Sequence, residues 1–188
     1  IIMISNSLAL RINLGLIISV FLSPSLFAQH FQSVFTNNPY NAMNIIISSA
    51  SLDGQILHNN DEIAVYDTNA LGVEICVGFV EIVNDFTADT NYIIIASADD
   101  PTTTTIQDGF IEGHNIIFRY WDSSKGYEIT LITDEFNLSY SNTFQQYGTA
   151  LVNLSGFSYL TWTGSQDIYW NNPANWNFNK TPTLLLDV

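Results

Sequence analysis

Carboxylates and aromatic rings are the side chains in this sequence with the most chemistry to offer. Asp61, Glu62 and Asp67 bracket one short run, and Asp99, Asp100 and Asp108 fall within one Asp- and Thr-rich stretch. Oxygen ligands spaced in this way could converge on Ca²⁺, a hard cation that takes about six to eight of them. Asp61, Asp67, Asp99, Asp100 and Asp108 are therefore the candidate calcium ligands. No EF-hand loop pattern accompanies them, and Asp at turns is equally explained by its hydrogen bonds to nearby backbone. Asp122 with Glu128, or Asp61 with Asp67, has the make-up of a glycoside hydrolase acid/base couple. The usual companions of hydrolysis are missing: the sequence has no Gly-x-Ser-x-Gly and no His-Glu-x-x-His, and His30, His58 and His114 are scattered. An enzyme is thus the last of three readings.

Aromatic rings stack on sugars when they face water. Tyr66, Tyr120 and Trp121 are the candidates for such a carbohydrate site, and each fits a sandwich core or a cross-strand pair at least as well. Trp162, Trp170 and Trp176 cluster near the end, where they would cap the first rung of a following stack of repeats. The single Cys76 lies in the apolar run Ile75-Cys76-Val77, so no internal disulfide forms and the thiol is expected to pack as a small hydrophobe.

These residues need elements to hold them. Stretches rich in β-branched and aromatic residues recur between Asn, Asp, Gly and Pro clusters, and no segment keeps a helical period. The pattern predicts strands near 31–35, 43–51, 62–67, 73–83, 92–98, 114–121, 127–133 and 147–154. About eight strands at this spacing make an all-β antiparallel sandwich, Ig-like or jelly-roll-like. Ile116, Phe118 and Tyr120 alternate with Ile117, Arg119 and Trp121, so that strand has two distinct faces.

The first 28 residues stand apart. Arg11 precedes the apolar run Leu14–Leu22, which is followed by Ser23-Pro24-Ser25 and ends at Ala28. That order is a signal peptide, and the run is too short for a span of about twenty residues. No second run long enough to span follows. All 18 acidic residues lie beyond Ala28, against Arg119, Lys125 and Lys180 alone. Nucleic acid is excluded as a partner, since phosphate contacts need clustered cations. The expected division is a signal peptide at 1–28, a sandwich domain at 29–156 and, at 157–188, the truncated start of a β-rich repeat region. The start at Ile1 and the abrupt apolar end at Leu184–Val188 are read as marks of a fragment.

Particular motifs carry a resemblance. His30-Phe31, Asn38-Pro39-Tyr40-Asn41-Ala42-Met43-Asn44-Ile45, Asp53-Gly54, Asn60–Asp67 and Cys76-Val77-Gly78 resemble a module of large secreted surface proteins of Bacteroidetes. Ala96–Thr102, Asp108-Gly109-Phe110, Trp121-Asp122 and Gly148-Thr149-Ala150 fit the same pattern. The tail Trp162-Thr163-Gly164, Trp170–Pro173, Asn175-Trp176 and Pro182 is similar to the opening of a β-solenoid-type segment in such proteins. Asn60 stands where the family usually has Gly, and residues 68–72 lengthen the turn before Cys76. The resemblance implies type IX secretion cargo, secreted or held at the cell surface, with neighbouring domains of a longer chain as partners. It implies a non-catalytic structural or adhesive module. The alternative is a carbohydrate-binding module for an extracellular glycan, with calcium as its one conceivable cofactor. N-terminal sequencing of the exported protein is expected to begin at Gln29; a start still containing Leu14–Leu22 would contradict signal-peptide cleavage.

Overall fold

The computed structural model describes residues 29–35, 38–103, 106–176 and 181. The expected signal peptide at 1–28 and the apolar end Leu184–Val188 lie outside the described residues. The chain forms two antiparallel-rich sheets stacked as an all-β sandwich. Among the described residues its helical content is one 3₁₀ turn, Pro173–Asn175, and no helix is long and apolar enough to cross a membrane.

Side-chain alternation lays out the first sheet. In β1 (Met43–Leu52), Met43, Ile45 and Ile47 point inward. An extra residue at Ser48 resets the phase, so Ala50 and Leu52 are the inward ones beyond it. β1 is flanked on one side by β2 (Gln55–Ile56) and β5 (Tyr92–Ala96), both antiparallel to it. On its other side lies β9 (Thr149–Gly156), with β8 (Ile132–Phe136) at the edge. β1 and β9 run parallel, a departure from the antiparallel expectation.

The second sheet is fully antiparallel, in the order β4 (Glu74–Glu81), β3 (Glu62–Thr68), β6 (Ile117–Asp122), β7 (Tyr127–Ile129). Ile63, Val65 and Phe118 face Ile45, Ile47 and Val152 across the interior. Burying such a side chain contributes about 1.5–3 kcal/mol. Glycine is required where backbones touch: a Cβ on Gly109 would lie 2.2 Å from the Ala98 carbonyl, and one on Gly78 would lie 2.9 Å from Ile95 O.

Two expected strands are corrected. Residues 31–35 are not a strand; they form an extended strap on the outer face of the second sheet, and Val34 N donates to Cys76 O at 2.9 Å. The expected strand at 127–133 breaks at Thr130-Leu131, with β7 in one sheet and β8 in the other.

Register defines two poles. At one, Asp53 N bonds Gly156 O where the chain leaves the sandwich, and Asp61 accepts from Ser123. At the other gather the connections 69–73, 97–116 and 137–148, joined by Phe144 N to His114 O and by the stacked rings of Phe110 and Phe144. The strap starts beside Glu62, at the exit pole, and runs toward the loop pole before β1 returns.

Tyr120 is wholly buried against Gly156, and its hydroxyl has no hydrogen-bond partner among the described residues. A buried hydroxyl left unsatisfied costs about 1–3 kcal/mol, so Tyr120→Phe is expected to stabilise the fold by about 1 kcal/mol. Chemical denaturation measures this; a clear loss of stability would mean that the hydroxyl is bonded after all.

Candidate functional site

The outer face of the second sheet collects the most varied chemistry. Period-two alternation brings Glu62, Ala64 and Tyr66 of β3 to this face with Arg119 and Trp121 of β6. The irregularity opposite Val65 and Tyr66 adds Cys76 and Phe79 of β4, which pack with Ala64 around Phe31. The strap closes over this face. His30 N and Phe31 N donate to the two oxygens of Glu62 at 2.6 and 2.8 Å. The His30 ring stacks on Trp121 with centroids 3.7 Å apart and planes 5° off parallel, and its Nε2 is 2.8 Å from Glu128 Oε1. Phe31 is buried edge-on to Tyr66. Arg119 donates to Glu128 Oε2 at 2.9 Å, pairs with Glu74 and lies 4.5 Å over the Tyr66 ring.

Burial and charge set the titration of this cluster. Desolvation pushes the Cys76 thiol up to about 11, so it stays protonated at neutral pH and is no nucleophile. Desolvation, aided by nearby Cys76 and Glu128, raises Tyr66 to about 12. Partial burial alone would raise Glu128, but hydrogen bonds from His30 and Arg119 and the Arg119 charge outweigh it and hold the carboxyl below its usual range. Desolvation opposes the Arg119 charge, yet its bonds to Glu128 and Glu74 raise it further.

The three aromatic candidates therefore part company. Tyr66 and Trp121 share the outer face but lie beneath the strap. Tyr120 points into the core and cannot touch a ligand; the alternation that turns Trp121 to the outer face buries its neighbour.

The five candidate calcium ligands are divided between the poles. Asp61 sits at the exit pole, accepting from His58 N, Ser123 N and Ser123 Oγ. Asp67, at the far end of β3, accepts from Thr68 N and Ile111 N and is bonded to His114 Nδ1 at 2.8 Å. Asp99 accepts from Asp108 N, Asp108 from Asp100 N and Thr103 Oγ1, and Asp100 from Thr102. The loop is thus stitched by its own aspartates, the turn chemistry of Asx motifs. Among the described residues no three of His, Cys, Asp or Glu converge as metal ligands. The acid/base couples do not meet either. Asp61 and Asp67 are about 20 Å apart at opposite ends of β3, and Asp122 faces inward while Glu128 faces outward.

Beyond the sandwich, one asparagine organises the tail. Asn175 is fully buried; its Oδ1 accepts from Gln166 N and Asp167 N, and its carbonyl accepts from Thr163 N at 2.7 Å. Its Nδ2 donates to Asp167 and to Tyr169 O. Trp176 packs under Leu131 and Leu160 and donates through Nε1 to Trp170 O. Trp162 and Trp170 remain 38% and 56% exposed, stack with their planes 13° from parallel, and with Tyr159 line a recess of about 580 Å³. The sequence shows Glu62 as one acid of its run and Asn175 as part of the tail motif, but gives neither residue its role. A carboxylate at the head of the apolar run Ile63–Val65 is the local mark of Glu62, and Asn at the close of a Trp-bracketed turn that of Asn175.

No protein-family model, curated protein or solved structure matches the chain.

A depressed carboxyl stabilises the fold above its unfolded pKa, and that contribution is lost as pH falls through the folded value. For Glu128 the contribution is full above 4.5, its ordinary value, and fades below it. Thermal midpoints followed from about pH 6 to about pH 3 are expected to fall less steeply in Glu128→Gln than in the native chain. Equal slopes would show that the pair with His30 and Arg119 contributes nothing.

Proposed function

We propose that this chain is a non-catalytic structural or adhesive module of an exported bacterial surface protein, with its loop pole presented outward. The observation that carries this reading is polar topology. The strap begins and the chain leaves at one pole, so attachment to further domains of a longer protein leaves the other pole free. That free pole carries Leu71, Ile106, Leu138 and Tyr147, exposed by 87%, 76%, 95% and 77%. Large apolar residues left exposed on several connections of one pole offer contact points for a partner. The signal-peptide pattern, the acidic surface and the likeness to Bacteroidetes type IX secretion cargo support an extracellular or cell-surface location.

A second reading, a carbohydrate-binding module, is favoured by one observation: the partly exposed, stacked Trp162 and Trp170, which line an open recess with Tyr159. In that reading the sugar platform lies in the tail, away from Tyr66 and Trp121. Neither reading calls on calcium: the candidate aspartates accept from protein donors, and among the described residues no three of His, Cys, Asp or Glu converge as ligands.

Two variants separate the readings. Leu71→Ser/Leu138→Ser/Tyr147→Ser alters the loop pole, and Trp162→Ala/Trp170→Ala alters the tail platform. Binding of the labelled chain to a glycan array and to immobilised matrix proteins is the measurement. The adhesive reading expects a loss of about tenfold or more with the loop-pole variant alone. Loss with the tryptophan variant alone transfers the function to carbohydrate binding. A native chain that binds neither surface removes adhesion and leaves a spacer.

A further inference from the structure

Glu62 is 3% exposed, yet it projects from the outer face of the second sheet, and it accepts two hydrogen bonds from the strap. A buried carboxylate needs donors, and here two consecutive backbone N–H groups supply them. Such recognition reads an extended backbone and is indifferent to side-chain identity. Specificity comes from the two flanking places: a slot among Ala64, Cys76 and Tyr66 that takes the Phe31 ring, and the Trp121 face with Glu128 beside it, which takes the His30 imidazole. The strap is not bound by strand register. It is held as a ligand is held, by an anchor ring, a stacked ring and a carboxylate clamp.

We propose that the outer face of the second sheet is an acceptor groove for an extended His-Phe segment, filled in cis by His30 and Phe31 and open to the same segment of a second copy of this chain. The contacts available in trans are identical to those in cis, so exchange sacrifices no interaction and is governed by the effective concentration of the two straps. Copies crowded side by side would pair through exchanged straps, a docking mode separate from the loop pole and from the tail tryptophans. The proposal does not rest on the function given above.

Cys76, the one cysteine of the chain, lies 5% exposed beneath the seated strap and reports its displacement. Two full-length variants divide the two roles. Phe31→Ala damages the donor and leaves the groove intact. Glu62→Gln damages the acceptor, since its amide N–H₂ opposes one strap N–H, and leaves the segment intact. Each variant alone is expected to sediment as a monomer, with Cys76 of Phe31→Ala labelled by a bulky thiol reagent about tenfold faster or more than in the native chain. Mixing the two is expected to give a 1:1 heterodimer and to return labelling of the Phe31→Ala copy toward the native rate. A synthetic Gln29–Phe35 peptide should do the same saturably, and the peptide carrying Ala in place of Phe31 should not. If Phe31→Ala does not fold, judged by circular dichroism, Phe31→Leu takes its place. A folded donor variant that labels at the native rate, or a mixture that stays monomeric with labelling unchanged, overturns the proposal.

Discussion

A carboxylate buried on the outside of a sheet has to be answered by donors, and Glu62 is answered by the backbone of residues that precede the first strand. Much of the molecule follows from that bond. It draws the strap across the second sheet, covers Ala64 and Cys76, and fixes His30 on Trp121 and against Glu128. The second sheet is thereby covered on both sides, by the core within and by the strap without. β3, central to it, has four consecutive buried residues from Glu62 to Val65. Without the strap, the Phe31 slot and an unanswered charge would face water together.

The strap also settles the polarity of the domain. β1 and β9 are parallel, so the chain enters the sandwich at one pole and leaves at the other. A chain attached at both points would be strung through the domain. Because residues 29–34 lie back along β3, the described start of the chain and its exit are at the same pole, and the long connections stand clear at the opposite one. Those connections are ordered from within: Asp67 accepts from the backbone of Ile111, Asp99 accepts from Asp108 N while Asp108 accepts from Asp100 N, and Gly109 allows Phe110 to lie against Ala98. Aspartates that look like metal ligands in the sequence thus hold the geometry of the 97–116 connection.

Local patterning made the sandwich legible. Most strands fall near the positions the sequence predicts, because β-branched alternation and Asn, Asp and Gly turns act over short range. Alternation shows that Tyr120 and Trp121 face opposite ways, but not which side is the core; that depends on the partner sheet. The strap has the composition of a strand but no strand edge to pair with, so its aromatic residues are buried by side-chain slots and not by a ladder. The break between β7 and β8 was hidden because Ile129, Thr130 and Leu131 continue the apolar run while the chain changes sheets. Glu62 was passed over as a surface acid among acids, since nothing local indicates that its donors lie about thirty residues upstream. The tail tryptophans were legible as a cluster; that Trp176 is buried while Trp162 and Trp170 stay open depends on Asn175 and on Leu131 of the sandwich.

Amide hydrogen exchange at His30 and Phe31, followed by NMR in the native chain and in Glu62→Ala, tests the role of Glu62 most directly. Both amides are expected to exchange more slowly than in the free peptide by about a hundredfold or more, and to lose that protection in Glu62→Ala while Ile45 and Val152 keep theirs. Exchange of His30 and Phe31 at the free-peptide rate in the native chain would contradict the account, leaving the outer face of the second sheet without its cover.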